Sequence, residues 1–190
     1  TDQSGTATFT FSGSAAGTFE PTFGIVGNST LSATATITVE EGVVRTYTRE
    51  DDTELTATYP GNGTAESPYL VDSLADLQAI ENSSSARAAN YRLVADIDAS
   101  ATTESTWNGG SGFEPIGTAT DEAFTGSLDG NGHTISNLSV DRSGASSTGV
   151  VGELGSGGAI ENLTVENASI TGGDDTGLVV GTSAGVVRNV

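Results

Sequence analysis

The chain has 190 residues, no Cys and no Met, and its 25 acidic residues outnumber six basic ones, all Arg, to give a net charge of −19. This composition excludes a disulfide framework, Cys-based metal sites and thiol nucleophiles, and it argues against nucleic acid and anionic membranes as partners, because six scattered Arg cannot neutralise a phosphate track. Self-repulsion destabilises so acidic a chain unless high salt screens it, so the composition indicates an extreme halophile, with an acidic mesophilic surface protein as the alternative.

Residues 1–60 are predicted to form an N-terminal β-sheet or sandwich domain of roughly four to six strands. Small or polar residues alternate with apolar ones over residues 6–11, 31–39 and 53–59, and this period of two is typical of half-buried strands. We expect a hairpin turn at Glu41 and Gly42. The cluster of Pro, Gly and Asn after Tyr59 predicts a domain boundary.

A single α-helix is predicted over residues 72–81. Leu74, Leu77 and Ile80 fall on one face of this helix, and Asp72 or Ser73 can cap its first turn. Because the first unit of a repeat array otherwise exposes its core, a lone amphipathic helix in this position is best explained as a cap.

Short phrases recur in the C-terminal half of the chain. The phrase Ile-Ser-Asn-Leu at 135–138 is echoed at 160–163 and again at 187–190, where it reads Val-Arg-Asn-Val. A second phrase, Gly-Val-Val-Gly at 149–152, returns as Gly-Leu-Val-Val-Gly at 177–181. Repeats of this length, with short strands separated only by turns, favour a β-helix or a propeller.

The ordered set of phrases from residue 67 to 190 resembles proteins that carry the GLUG motif, within the right-handed parallel β-helix group. The resemblance is carried by the helix region at 68–80, the strand at 91–98, the middle segments at 107–117 and 124–138, and the two Gly-Val-Val phrases, of which the second has one extra residue. It implies an all-β chain, in which a short right-handed parallel β-helix with one capping α-helix follows the N-terminal domain. It also implies a large secreted or surface-anchored bacterial or archaeal protein, often adhesin-like, without a shared set of catalytic residues.

Three carboxylates are candidate ligands for a metal ion. Asp96 and Asp98 alternate on one side of a predicted strand, and Asp129 lies in a Gly-rich turn. Carboxylate oxygens suit Ca²⁺, which takes six to eight oxygen ligands. In a chain with so many acidic residues, chance pairs are expected, so a solvated halophilic surface is the favoured explanation and calcium the alternative. Calcium is therefore the only cofactor that we consider.

Asn residues have two competing roles in this sequence. Asn137, Asn162 and Asn189 occupy the same place in the three echoing phrases, so we predict that they stack in a hydrogen-bonded structural ladder. Six Asn-x-Ser/Thr sequons indicate an exported glycoprotein. We predict glycans on Asn28, Asn62 and Asn82, and the sequons at Asn137 and Asn162 compete with the ladder.

An enzyme is the less favoured interpretation. His133 is the only His, and one His without Cys cannot build a typical zinc site, so we expect it at a turn of the repeat. Trp107 can pack a loop or stack on a sugar ring. A glycosidase needs two carboxylates held across a cleft. A polysaccharide lyase on a β-helix needs a Lys or Arg base beside a calcium ion or another group that neutralises the acid, and Arg92 and Arg142 are the only basic candidates in the repeat region.

We therefore predict an extracellular structural or adhesive protein of a halophilic archaeon, without membrane insertion, since no apolar run approaches ~20 residues. Its partners are expected to be other copies of itself, a surface protein or a glycan. The third phrase stops at Val190 with an unpaired strand edge, which favours a subunit of a surface filament joined head to tail or by strand addition. The alternatives are a fragment of a larger monomeric adhesin that continues beyond Val190, a viral receptor-binding spike, or the enzyme. The first residue is Thr, so we expect that an N-terminal segment precedes this sequence.

Overall fold

The computed structural model describes residues 17–19, 22–24, 32–34, 37–39, 43–48 and 54–190, the first four segments by their backbone alone. The chain divides into two compact units, Thr1–Glu41 and Gly42–Val190. The strand predicted at 6–11, the turn at Glu41 and Gly42, and the sequon at Asn28 lie outside the described residues.

The described part of the first unit consists of two antiparallel strand pairs. Strand β1 (Gly17–Phe19) pairs with β4 (Ile37–Val39), and β2 (Thr22–Gly24) pairs with β3 (Ser32–Thr34). The alternating stretch at 31–39 therefore supplies two short strands that pair with different partners.

The second unit begins with an antiparallel hairpin of β5 (Val43–Thr48) and β6 (Glu54–Tyr59). Tyr47 and Tyr59 on this hairpin are buried in the core of the second unit. The hairpin belongs to this unit because both strands contact helix α1 (Leu74–Ala79). The division between units therefore precedes the boundary expected from the sequence after Tyr59.

The predicted helix is present and is shorter than its pattern suggested. Ser73 caps α1 by accepting a hydrogen bond from the Asp76 backbone N–H, and Leu77 and Ile80 are fully buried. A 3₁₀ turn (Ile80–Asn82) follows, and then a second helix, α2 (Ser84–Arg87), which the sequence analysis did not predict. Three further 3₁₀ turns lie at Ser100–Thr103, Trp107–Gly110 and Thr120–Glu122.

Short strands dominate the rest of the second unit, as expected for an all-β chain. They are β7 (Tyr69–Val71), β8 (Asn90–Leu93), β9 (Ile97–Asp98), β10 (Ser127–Asp129), β11 (Thr134–Ser136), β12 (Ser139–Asp141), β13 (Ser147–Thr148), β14 (Val151–Leu154), β15 (Ala159–Glu161), β16 (Thr164–Glu166), β17 (Ser169–Thr171), β18 (Asp175–Thr176), β19 (Val180–Ser183) and β20 (Val186–Arg188).

All pairings among these strands are parallel. The strands form five separate sheets in the orders β7-β8-β10-β15-β20, β9-β11-β16, β12-β17, β13-β18 and β14-β19. The chain thus visits one sheet after another and then returns to the first, so that each strand lies beside its counterpart from the previous passage. We call one such passage a coil.

The register stacks equivalent apolar residues into columns. Tyr91, Leu128 and Ile160 pair in the first sheet, and all three are buried. A second column pairs Ile97 with Ile135, which are also buried. Each fully buried side chain of this kind contributes about 1.5–3 kcal/mol relative to an exposed one, so the columns are the core of the unit.

The glycines of the Gly-Val-Val phrases are required by close approach between coils. Val151 pairs with Val180, which places Gly152 beside Gly181. A Cβ on Gly152 would lie 2.4 Å from the Gly117 carbonyl oxygen, and one on Gly181 would lie 2.6 Å from the Thr148 nitrogen. The extra residue of the second phrase is accommodated before Val180, so the pairing after it is unchanged.

Candidate functional site

Asn residues turn the chain at the corners between sheets. In the part of the chain that the structure describes, every non-glycine residue with positive φ is an Asn. Asn137, Asn162, Asn167 and Asn189 immediately follow a strand and have φ between 51° and 59°. Asn tolerates this left-handed conformation better than other L-residues with a Cβ, which explains why the echoing phrases carry Asn at this place.

Asn162 and Asn189 form one hydrogen-bonded column. The Asn189 Nδ2 donates to Asn162 Oδ1 at 3.1 Å, and the Asn162 Nδ2 donates to Asp129 Oδ1 at 3.0 Å. Asn162 therefore donates to the coil before it and accepts from the coil after it. Asp129 forms the base of the column, because a carboxylate has acceptors and no donor.

Asn137 lies outside the column that Asn162 and Asn189 form. Its strand pairs Ile135 with Ile97 and Val165, whereas Ile160 pairs with Leu128 and Val187. The Asn137 Nδ2 donates to Asp98 Oδ1 at 3.0 Å, at a different corner of the same fold. The structure thus brings together two of the three predicted ladder residues, and the third forms a separate pair.

The three candidate metal ligands are each occupied by hydrogen-bond donors. Asp96 Oδ1 accepts from the Thr134 backbone N–H at 3.0 Å and lies 3.1 Å from His133 Nδ1. Asp98 Oδ1 accepts from the Ser100 backbone N–H at 3.0 Å in addition to Asn137. Within the described residues, no group of three His, Cys, Asp or Glu side chains is placed to hold a metal ion.

The pKa values of these carboxyl groups fall below their ordinary values. A backbone hydrogen bond from Thr134 is the main cause for Asp96, and the hydrogen bond from Asn137 is the main cause for Asp98. Burial raises the pKa of Asp129, and hydrogen bonds from Asn162, Asn131 and Arg92 outweigh that effect. All three groups are therefore charged acceptors at neutral pH.

Arg side chains of the first sheet are held in ion pairs. The Arg92 Nε lies 3.1 Å from Asp129 Oδ2, and the Arg188 Nε lies 2.5 Å from Glu161 Oε2. Because Arg92, Asp129, Glu161 and Arg188 share one register position, these pairs form a row across the sheet. Arg92 is thus engaged structurally, which weakens its candidacy as a catalytic base.

His133 and Trp107 occupy structural positions. His133 lies between β10 and β11, beside Asp96. Trp107 lies in a 3₁₀ turn and is 7% exposed. The neighbouring Asn108 has a left-handed conformation, is fully buried and donates to the Gly112 carbonyl oxygen at 2.8 Å. The indole is therefore not available as an open platform for a sugar.

The helical end of the coils is held by two buried polar side chains. The Gln78 amide makes two hydrogen bonds to the backbone of Glu114, each 3.0 Å long. Glu81 accepts a hydrogen bond of 2.5 Å from the Gly117 backbone N–H and one of 3.0 Å from Arg87. These bonds tie the helix region to the segment at 114–117, more than 30 residues away along the chain.

Burial raises the pKa of Glu81 to about 7, although Gly117 and Arg87 both favour the charged form. The Glu81 side chain is 9% exposed. Sequence reasoning missed this group, because it lies at the end of the predicted helix among many acidic residues and its partners are distant in sequence.

Aromatic rings close the same end. Tyr59, Tyr69 and Tyr91 pack with ring centroids 5.5–5.6 Å apart, and Tyr91 also packs against Phe124. The Arg45 guanidinium lies 5.4 Å from the centre of the Tyr69 ring and 5.8 Å from that of Tyr59, within cation–π range.

Among the described residues, no strand covers the opposite end of the coils. Strands β16, β17, β18, β19 and β20 are each the last strand of their sheet. Leu178, Val186, Val187 and Val190 are 38–56% exposed there. Val165 and Ile170, which continue the buried columns, are only half-buried. We call these strands and side chains the end face.

Two of the three predicted glycosylation sites lie in the described part of the chain. Asn62 and Asn82 are both exposed on the second unit. Asn28 lies outside the described residues.

No helix among the described residues is long and apolar enough to cross a membrane.

Comparison with known proteins gives two relatives. The chain is 71% identical over all 190 of its residues to "Halomucin" of the halophilic archaeon Haloquadratum walsbyi, of which it spans 2%. It is 34% identical over 133 residues, 68% of the chain, to a protein of Evansella cellulosilytica that carries the provisional name "Gly-rich membrane protein", and the matched region is 15% of that protein. No family model and no solved structure matches the chain. The chain therefore spans only a small part of the length of either relative.

The Asn162 corner gives a test of the ladder. We expect Asn162→Gly to lower the free energy of unfolding through loss of its two side-chain hydrogen bonds, by about 1–3 kcal/mol. Asn162→Ala should cost about 1–2 kcal/mol more, because Ala also disfavours positive φ. Urea unfolding in about 1 M KCl, where the Debye length is about 3 Å, measures both. Equal losses in the two variants would show that the left-handed backbone is unimportant.

Glu81 gives a prediction about pH. Its ordinary pKa of 4.5 rises to about 7 in the folded chain, so the folded state binds this proton more tightly. Its stabilising effect is complete below about pH 4.5 and is lost as the pH rises through 7.

Glu81→Gln keeps an acceptor oxygen for Gly117 and does not titrate. Between pH 5 and 8 we expect the wild-type chain to lose about 1–3 kcal/mol of unfolding free energy relative to this variant. Urea unfolding of both proteins at fixed salt checks the difference, and Glu66→Gln, at an exposed acidic position, serves as the control. Parallel pH curves for wild type and Glu81→Gln would contradict the assignment.

Proposed function

We propose that this chain is a non-enzymatic structural segment of a large cell-surface protein of a halophilic archaeon. The observation that carries the proposal is the similarity of the whole chain to a small part of halomucin, whose name indicates a mucin-like protein. The net charge of −19 supports it, because high salt screens the repulsion that such a chain carries.

We further infer that the five parallel sheets are the faces of a right-handed β-helix and that the resemblance to GLUG-motif proteins reflects a shared origin. The parallel register and the return of the chain to the first sheet after each coil support the β-helix. The Gly-Val-Val phrases support the resemblance, because their glycines occupy equivalent places in successive coils.

The surface location is tested on intact cells. An antibody raised against this segment should label unpermeabilised cells kept in their growth salt, and brief external protease should remove the signal. An antibody to a cytoplasmic protein is the control, which should label only after lysis. Labelling that requires lysis would overturn the proposed location.

Within that role, the chain acts as an adhesive or filament-forming element that joins other copies of itself through the end face. Two features support this self-association: the strand edges that pair with no other described strand, which are templates for further pairing, and the exposed apolar side chains that lie beside them. A contact between the end face and a different surface is heterologous, so it propagates instead of closing.

A larger monomeric adhesin is the second candidate. The observation that favours it is the 2% share of halomucin that the chain spans. In a protein of that length, neighbouring segments of the same chain can cover the end face. The two candidates differ in whether the isolated segment associates.

Light scattering distinguishes them in about 2–4 M salt, which screens the acidic surface. For a filament subunit, the mass of the wild-type chain rises with protein concentration, and Val187→Asp on β20 lowers it toward the monomer. Val94→Asp, at a similarly exposed valine of the first parallel coil (42% against 38%), is the matched control and should associate like wild type. A wild-type chain that is monomeric at every concentration favours the monomeric adhesin and ends the filament proposal.

A further inference from the structure

Five sequons lie in the part of the chain that the structure describes, at Asn62, Asn82, Asn137, Asn162 and Asn167. By sequence they are equivalent, because each has Ser or Thr two residues on. The fold gives them different surroundings, and the surroundings divide them into two groups.

Three of these Asn side chains are exposed and make no hydrogen bond to another described residue. Asn62, Asn82 and Asn167 are exposed, and no other described residue makes a hydrogen bond to any of the three side-chain amides. The hydroxyl residues of the same sequons, Thr64, Ser84 and Ser169, are exposed as well. Both halves of the acceptor sequence can therefore be reached by a glycosylating enzyme.

The side-chain amides of the other two, Asn137 and Asn162, donate hydrogen bonds to carboxylates at the corners between sheets. The Asn137 Nδ2 lies 3.0 Å from Asp98 Oδ1, and the Asn162 Nδ2 lies 3.0 Å from Asp129 Oδ1. Both side chains are half-buried. In N-glycosylation this same nitrogen loses one proton and bonds to the anomeric carbon of a sugar, while the bond from that carbon to the phosphate of a lipid-linked donor breaks and the lipid phosphate leaves. The amide must first leave its carboxylate, and a hydrogen bond to a charged group is worth about 1.5–3 kcal/mol.

We propose that Asn167 is an N-linked glycosylation site, with Asn62 and Asn82, and that the corner hydrogen bonds exclude glycans from Asn137 and Asn162. Asn167 follows β16, and by register it occupies the same corner position as Asn137 one coil earlier. The amide of Asn137 donates to the Asp98 carboxylate, whereas no carboxylate in the described part of the chain accepts from the amide of Asn167. The inference rests on the proposed extracellular location, because export brings the chain to the enzyme.

The test is a peptide map of the full chain, exported from a haloarchaeal host whose own surface proteins carry N-linked glycans. We expect glycopeptides that contain Asn62, Asn82 and Asn167, and unmodified peptides for Asn137 and Asn162. Ser169→Ala removes the sequon of Asn167 without changing the Asn, so it should abolish that glycopeptide alone. Ser139→Ala does the same for Asn137 and should leave the map unchanged.

An unmodified Asn167, or a sugar on Asn137 or Asn162, would overturn the proposal. If every sequon is bare while a surface protein of the host is modified, the proposal also fails. That result leaves the cell-surface role standing, because labelling of intact cells tests it separately. A map with Asn62 and Asn82 modified and Asn167 bare rejects the assignment of Asn167 specifically.

Discussion

The parallel register between coils is the constraint on which the second unit depends. In the first sheet it places Tyr69, Tyr91, Leu128, Ile160 and Val187 in one column. Each side chain is covered by the one after it, so burial is almost complete until the last member, Val187, which is 38% exposed. Stability in such a stack comes from contacts between neighbouring coils. A coil is therefore stable only to the extent that its outer surface is covered.

The same register gives some acidic residues a structural role as hydrogen-bond acceptors. Where a column of corner side chains begins, an Asp accepts both the Asn of the next coil and a backbone N–H two residues further along its own chain, as Asp98 does with Asn137 and Ser100. A charged acceptor strengthens both bonds. These hydrogen bonds lower the pKa values of Asp98 and Asp129. The two charged carboxylates therefore have a structural role. A cation at either position would compete with donors that already satisfy the carboxylate.

Local sequence patterns predicted the helix and the short strands. Contacts between residues distant in sequence determine which strands pair and which side chains are buried. The helix with its Ser73 cap and the strands of the repeat follow from residues close together in sequence. The phrases at 135–138 and 160–163 look alike because both are strands that end in a left-handed Asn. Their spacing could not reveal that they belong to different sheets, since turns of variable length separate the sheets. Helix α2 is only one turn long, and the burial of Glu81 depends on Gly117, so neither leaves a local signal.

The two ends of the described coils respond to different conditions. At the helical end, the contacts are the buried Glu81 carboxyl group and a cluster of Tyr rings around Arg45. Burial raises the pKa of Glu81 to about 7, so the hydrogen bonds of this one group change near neutral pH. At the end face, the side chains are aliphatic, and their burial strengthens with salts that are excluded from protein surfaces. High salt also screens the repulsion between acidic neighbours. The association proposed for the end face should therefore strengthen with salt, whereas the contacts of Glu81 at the helical end should weaken as the pH rises through its pKa of about 7.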